Sequence, residues 1–170
     1  MKELLILAKE SIQEDLFSEK TCDLTAYQAT YSQKVGAFVT LTINKQLRGC
    51  IGRIVCDDPL YKTIYKMAKQ AAFYDSRFTP LSTTEYPHIN IELSILSQLT
   101  PVETMNDIIL GTHGVVFTLG NYSSVFLPKV ATQQGWTKVE LLQQLALKAG
   151  LKQTSWQGAK LSIFTATSIM

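Results

Sequence analysis

Arg48, Cys50 and two glycines, Gly49 and Gly52, stand within one hexapeptide, Leu47-Arg48-Gly49-Cys50-Ile51-Gly52. A thiol attacks as its thiolate, and positive charge nearby favours that form. Arg48 beside Cys50 therefore makes Cys50 the candidate nucleophile. The competing reading is a small buried thiol filling a core, the commonest state of a free cysteine. Glycine weakens a strand and marks a bulge or the close approach of a backbone or ligand. Here Gly49 and Gly52 are read as exposing amides to an anionic or planar group that Arg48 orients. Only three of the sixteen basic residues are arginine, Arg48, Arg53 and Arg77, so each marks a place where a forked, planar donor is wanted.

Two further sets complete the candidate site. His113 lies between Gly111 and Gly114 and is the better placed of two histidines to carry a proton. Its alternative is a turn histidine satisfied by a local hydrogen bond. Glu92 projects from a strand face opposite Ile91 and Leu93, as the carboxylate partner of an arginine or as a solvated side chain. Asp75 and Arg77 flank Ser76 in a loop closed by Pro80; together they suit bidentate recognition of an acidic ligand or another arginine, or else a local helix cap. The expected set is thus Cys50, His113 and Glu92 for chemistry, with Arg48, Gly49, Gly52, Asp75 and Arg77 for binding. Cys22 and Cys56 are expected to be inert, and Trp136 and Trp156 to pack rather than stack on a ligand.

The elements that must position these residues follow from periodicity. Leu4, Leu5, Ala8, Ile12 and Leu16 are spaced for an amphipathic helix over about 2–17 that lies on the following sheet. Val35, Ala37, Val39, Leu41 and Ile43 alternate as a strand; Asn44-Lys45-Gln46 turns the chain, and 47–55 returns as its hairpin partner. In that partner, Arg48, Cys50 and Gly52 would share one face and Gly49, Ile51 and Arg53 the other. Asp58 as cap and Pro59 at the first position open a helix ending near Tyr74. Ser82 to Glu85 matches a capping box, and Ile89, Ile91, Leu93 and Ile95 alternate as a strand with one buried face. Strands follow near 115–117 and 123–127, a second capping box at Thr137 opens a helix stopped by Gly150, and 159–166 closes the chain as a strand. This order does not alternate as parallel β-α-β units do, and the fold class is α+β with a mainly antiparallel sheet and flanking helices.

A chain of 170 residues with 46% hydrophobic and 18% charged residues is expected to form one domain, 1–170. The net charge of +2, without a run of like charge, argues against a nucleic-acid binder. Its apolar runs fall far short of the roughly 20 residues that cross a bilayer. Three cysteines without paired spacing suggest neither disulfides nor a zinc site; no metal or cofactor is expected, and a reducing cytoplasm is the expected setting.

The hexapeptide resembles the signature of the AMMECR domain family, the A protein of the AmmeMemoRadiSam system. Gly36-Ala37-Phe38-Val39-Thr40-Leu41, Ala71 to Phe78, Ile91-Glu92-Leu93-Ser94-Ile95-Leu96, Gly111-Thr112-His113-Gly114, Leu127-Pro128-Lys129-Val130, Gln134-Gly135-Trp136 and Lys148-Ala149-Gly150-Leu151 resemble family segments in the same order. Departures are Ser76 for a common Pro, Ala146 for a common Cys, and 121–124 without the usual Arg. The resemblance implies an α+β fold with two lobes around a cleft, and a Memo-like protein and a radical SAM protein as partners. The expected function is an enzyme or enzyme component acting on a small polar ligand at a cleft around 47–52. The alternative is a non-catalytic adaptor that docks those partners, with nucleic-acid binding a third reading.

Overall fold

The computed structural model describes all 170 residues, in two compact units: Met1–Leu96 with Thr167–Met170, and Ser97–Ala166. No helix is long and apolar enough to cross a membrane.

In the first unit, α1 (Lys2–Phe17) buries Leu4, Leu7, Ala8 and Ile12. It stops where Ser18 adopts a left-handed backbone, φ 57°, and returns its N–H to the Glu14 carbonyl. A single turn, α2 (Thr25–Gln28), follows, and then β1 (Ala37–Ile43) and β2 (Gln46–Arg53) pair antiparallel. The turn between them is two residues, Asn44 and Lys45, both at positive φ (51° and 64°), which matches the right-handed twist of a hairpin. Gln46, expected in the turn, already pairs with Ile43.

Next comes α3 (Leu60–Phe73), which lays Ile64, Met67, Ala68 and Ala71 on the sheet. Its start corrects the expected cap. Pro59 is itself the capping residue, Asp58 bonds Lys66 instead at 2.6 Å, and the first free N–H groups go to carbonyls of a distant segment, Leu60 to Gln33 and Tyr61 to Tyr31. Ser82 and Glu85 do exchange the two bonds of a capping box, leading into a short 3-10 turn over Tyr86–His88. Then β3 (Asn90–Leu96) pairs with β1.

Val39, Leu41 and Leu93 point into the core with Leu4, Leu7 and Ile64, all at 0% exposure. Each such side chain stabilises the fold by about 1.5–3 kcal/mol. The opposite face of β3 is not uniformly open, because Ser94 is buried as well.

The second unit contains β4 (Thr100–Val102), β5 (Gly114–Leu119), β6 (Tyr122–Phe126), α4 (Pro128–Gln134), α5 (Lys138–Lys148) and β7 (Lys160–Phe164). Its antiparallel sheet runs β4-β7-β5-β6. Ile108, Val115, Phe117, Leu142 and Leu145 form its core. Thr137 and Glu140 cap α5 reciprocally, and Gly150 takes the left-handed position beyond its end, φ 80°. The last expected strand is in fact two: after β7 the chain breaks at Thr165, and β8 (Ala166–Ile169) joins the first sheet, whose order is β2-β1-β3-β8.

Candidate functional site

Strand β2 is an edge, and the hexapeptide lies along it. The β1 register explains its geometry. Leu41 pairs with Gly49 and Thr42 with Leu47, so Arg48 is an extra residue with no partner. Such a bulge interrupts the alternation of side chains and re-aims the residue it inserts. The expected common face of Arg48, Cys50 and Gly52 is therefore broken at Arg48.

The Arg48 guanidinium turns to Glu85, Nε to Oε1 at 2.7 Å and a terminal nitrogen to Oε2 at 3.0 Å, and to the Thr79 carbonyl at 2.9 Å. Glu85 also accepts from the Ser82 N–H and hydroxyl. Arg48 first, then the Ser82 N–H, holds the Glu85 carboxyl at about 2. The expectation that Arg48 serves the thiol is thus corrected: its two-toothed contact is with a carboxylate.

Cys50 is fixed through its backbone. Its N–H donates to Asp75 Oδ2 at 2.9 Å and its carbonyl accepts from Arg77 at 3.1 Å. Asp75 and Arg77 also grip each other by two bonds, Nε to Oδ1 at 2.9 Å and a terminal nitrogen to Oδ2 at 2.6 Å. Arg77 holds the buried Asp75 carboxyl well below the usual carboxylate range, against burial and with help from the Cys50 N–H. Both arginines stand near the Phe78 ring, at 5.9 and 5.5 Å from its centroid. The loop after α3 is therefore clasped to the edge of β2 from both sides.

The motif glycines have a packing reason. A Cβ on Gly49 would meet the Ala71 carbonyl oxygen at 2.1 Å, and one on Gly52 the Phe38 ring at 2.3 Å. Gly49 is buried under α3 and Gly52 is covered by the ring of its cross-strand partner. Small size lets helix and ring approach the backbone at these two positions.

The Cys50 side chain faces away from the core. Its Sγ lies 3.1 Å from Thr40 Oγ1, and Thr40 is in register with Cys50 on one side and Glu92 on the other. A thiol, a hydroxyl and a carboxylate so form one transverse row across β2, β1 and β3, each half-buried. By contrast Cys22 is buried, with its thiol pushed up to about 12 by burial and by Glu14, and Cys56 is buried against the Thr63 hydroxyl at 2.9 Å. All three cysteines are free. No three His, Cys, Asp or Glu side chains gather as a metal site.

His113 belongs to the second unit, where its Nδ1 accepts the Ile109 N–H at 3.1 Å and its backbone N–H donates to the Ile109 carbonyl. That is the local turn bond expected of the simpler reading. The residues brought together are Arg48, Cys50, Asp75 and Arg77, with Glu92 two strands away on the same sheet. Two contributors were not foreseen, Glu85 and Thr40. Glu85 was visible in its capping box, and a carboxylate near a scarce arginine was the available signal.

A family profile described as AMMECR1 matches residues 5–169. Protein NEQ441 of Nanoarchaeum equitans is 36% identical over 138 residues, 77% of each chain. Protein MJ0810 of Methanocaldococcus jannaschii is 33% identical over 166 residues, 92% of this chain and 83% of that relative. The crystal structure of uncharacterized protein PH0010 from Pyrococcus horikoshii matches with a TM-score of 0.88 at 31% identity, over 97% of this chain and 88% of that one.

Proposed function

This chain belongs to the AMMECR1 family, and from that premise we propose that it is the substrate-holding component of an enzyme system, presenting the Cys50, Thr40 and Glu92 row to a small polar molecule. The observation that carries the reading is the register of that row, with Sγ and Oγ1 at 3.1 Å and the Cys50 backbone fixed by Asp75 and Arg77. Preorganisation of this kind is what a thiol needs to act on a bound molecule without reordering at each turnover. Cys50 is the nucleophile, Thr40 its hydrogen-bond partner, and Glu92 a carboxylate that orients the ligand. Arg48, Asp75, Arg77 and Glu85 are positioning residues. His113 has no role in this row. A Memo-like protein and a radical SAM protein supply the remaining chemistry, and the free thiols suit a reducing cytoplasm.

Iodoacetamide labelling of the native protein at neutral pH, read by peptide mass spectrometry, tests this. Cys50 labels fast while Cys22 and Cys56 stay unmodified until denaturant is added. Equal protection of all three would close the row to any substrate and end the reading.

A specific observation favours the adaptor as the second reading. Leu47, Val55 and Tyr74, on or beside the motif, are 44%, 69% and 66% exposed. Paired Leu47→Asp and Val55→Asp changes would then abolish co-purification with the partners and leave Cys50 labelling intact.

A further inference from the structure

A pocket of about 550 Å³ opens in the first unit where α1 and α3 end, lined by Glu14, Asp15 and Ser18 and by Phe73, Tyr74 and Pro80. That is the size of a cavity for a small organic ligand. The two helices run in the same direction, because Tyr31 ties Glu3 to Tyr61 near their starts and Lys69 bonds Glu14 and Asp15 near their ends. Their C-termini therefore meet at the pocket.

A helix C-terminus carries partial negative charge and is favourably matched by a basic residue in its last turn. Neither α1 nor α3 has one. Instead α1 carries Glu14 and Asp15 there, and the N–H groups of Ser18 and Glu19 both return to the Glu14 carbonyl, which leaves the carbonyls of Asp15, Leu16 and Phe17 without a donor. Lys69 is the single cation paired with the two carboxylates, 3.2 Å from Glu14 and 2.6 Å from Asp15. Glu19 and Lys20, the next charges along the chain, are both exposed and offset each other. Two carboxylates and two helix ends against one ammonium leave the pocket negative.

Glu14 accepts from Thr21, Cys22, Tyr65 and Lys69, so both its oxygens are occupied, whereas Asp15 takes Lys69 on Oδ1 and has Oδ2 unused. One carboxylate oxygen suits an N–H donor better than a calcium ion, which gathers about six or more oxygens. The rest of the lining is Phe73, Tyr74 and Pro80, and Tyr74 is 66% exposed. An aromatic face attracts a cation as well as an apolar body.

We infer that this pocket binds a small organic amine as its ammonium ion, with the N–H groups donated to Asp15 and the open end of α1 and the apolar body laid against Phe73 and Tyr74. The site shares no residue with the thiol row and goes beyond the function proposed for it.

Calorimetric titration of the full chain with phenethylamine tests this, with 2-phenylethanol as the same body without the charge. The amine binds at least about tenfold more tightly than the alcohol, the ratio a charge-assisted hydrogen bond produces. Asp15→Asn lowers amine affinity by about tenfold and leaves the alcohol unchanged, while Tyr74→Ala weakens both. Both side chains reach the surface, and circular dichroism of each variant at the titration temperature ensures that binding is read on folded protein. Equal affinity for amine and alcohol, or amine binding unaffected by Asp15→Asn or by Tyr74→Ala, overturns the inference.

Discussion

The first unit buries carboxylates beside its hydroxyls, and the second buries a hydroxyl but no charge. Glu14 and Asp75 lie at 8% and 5% exposure in the first, whereas Ser124 in the second donates its hydroxyl to the Leu145 carbonyl at 2.7 Å. Glu14 accepts the N–H groups of Thr21 and Cys22, the Tyr65 hydroxyl and the Lys69 ammonium, joining α1, the following loop and α3 at one carboxylate. Burial opposes its charge, but Tyr65, the Cys22 N–H and Lys69 more than offset this and leave it at about 2. A buried charge stabilises only while its partners stand, and losing one leaves an uncompensated ion. The first unit therefore gains a precisely placed motif strand and becomes sensitive to any change that removes a partner. The second is closed by caps and core packing, and tolerates more.

The largest effect that would sharpen this contrast comes from Gly49→Val. With Ala71 oxygen 2.1 Å from the first added carbon, helix and sheet must part, at about 3 kcal/mol. Urea unfolding followed by hydrogen exchange should show faster exchange in peptides spanning β1, β2 and α3. Asp75→Asn comes next, at about 2–3 kcal/mol. The one oxygen of an amide can still take the Cys50 N–H and one Arg77 nitrogen. An NH2 in place of Oδ1 cannot accept the Arg77 Nε and backbone N–H, and the charge that pairs with the guanidinium is lost. Iodoacetamide labelling of Cys50 should slow or lose its selectivity in the same variant; unchanged stability and labelling would break the assigned link between loop and thiol.

Acid gives the third test. The folded carboxyls of Glu14 and Glu85 sit at about 2, below the ordinary 4.5. Their stabilisation is complete above that ordinary value and fades as pH falls toward 2. Glu14→Gln should cost about 2 kcal/mol at pH 7, and the difference from wild type should close on titration toward pH 2. A constant difference across that range would remove the charge from the explanation. The smallest expected effect is in the second unit: Thr137→Ala loses the cap of α5, at about 1 kcal/mol, with no change in Cys50 labelling.

Local patterns made much of this fold legible. The stripe of α1, the hairpin, the alternation of β3 and the Thr137 box each depend on residues within one element, so periodicity and caps reveal them. Antiparallel α+β architecture follows from their order. What escaped was set by partners distant in sequence. The bulge at Arg48 exists only in the register with β1, the start of α3 is capped by carbonyls of Tyr31 and Gln33, and Arg48 meets Glu85 only after the loop has folded back. The helix α4 had readable signals, Pro128 at its start and Gly135 in the left-handed position at its end. Thr100–Val102 is too short to show a period, and the break at Thr165 divides two strands that belong to different sheets.

The clasp on Cys50 also bears on how this protein stays dispersed. A strand at a sheet margin offers its outward amides and carbonyls as a template on which another chain can add a strand. At the centre of β2 that template is already taken, one position by a carboxylate and the other by a guanidinium. A crowded solution of the Asp75→Asn protein would then nucleate fibrils along 46–53 before the wild type does, with the motif strand, rather than an unfolded segment, as the seed.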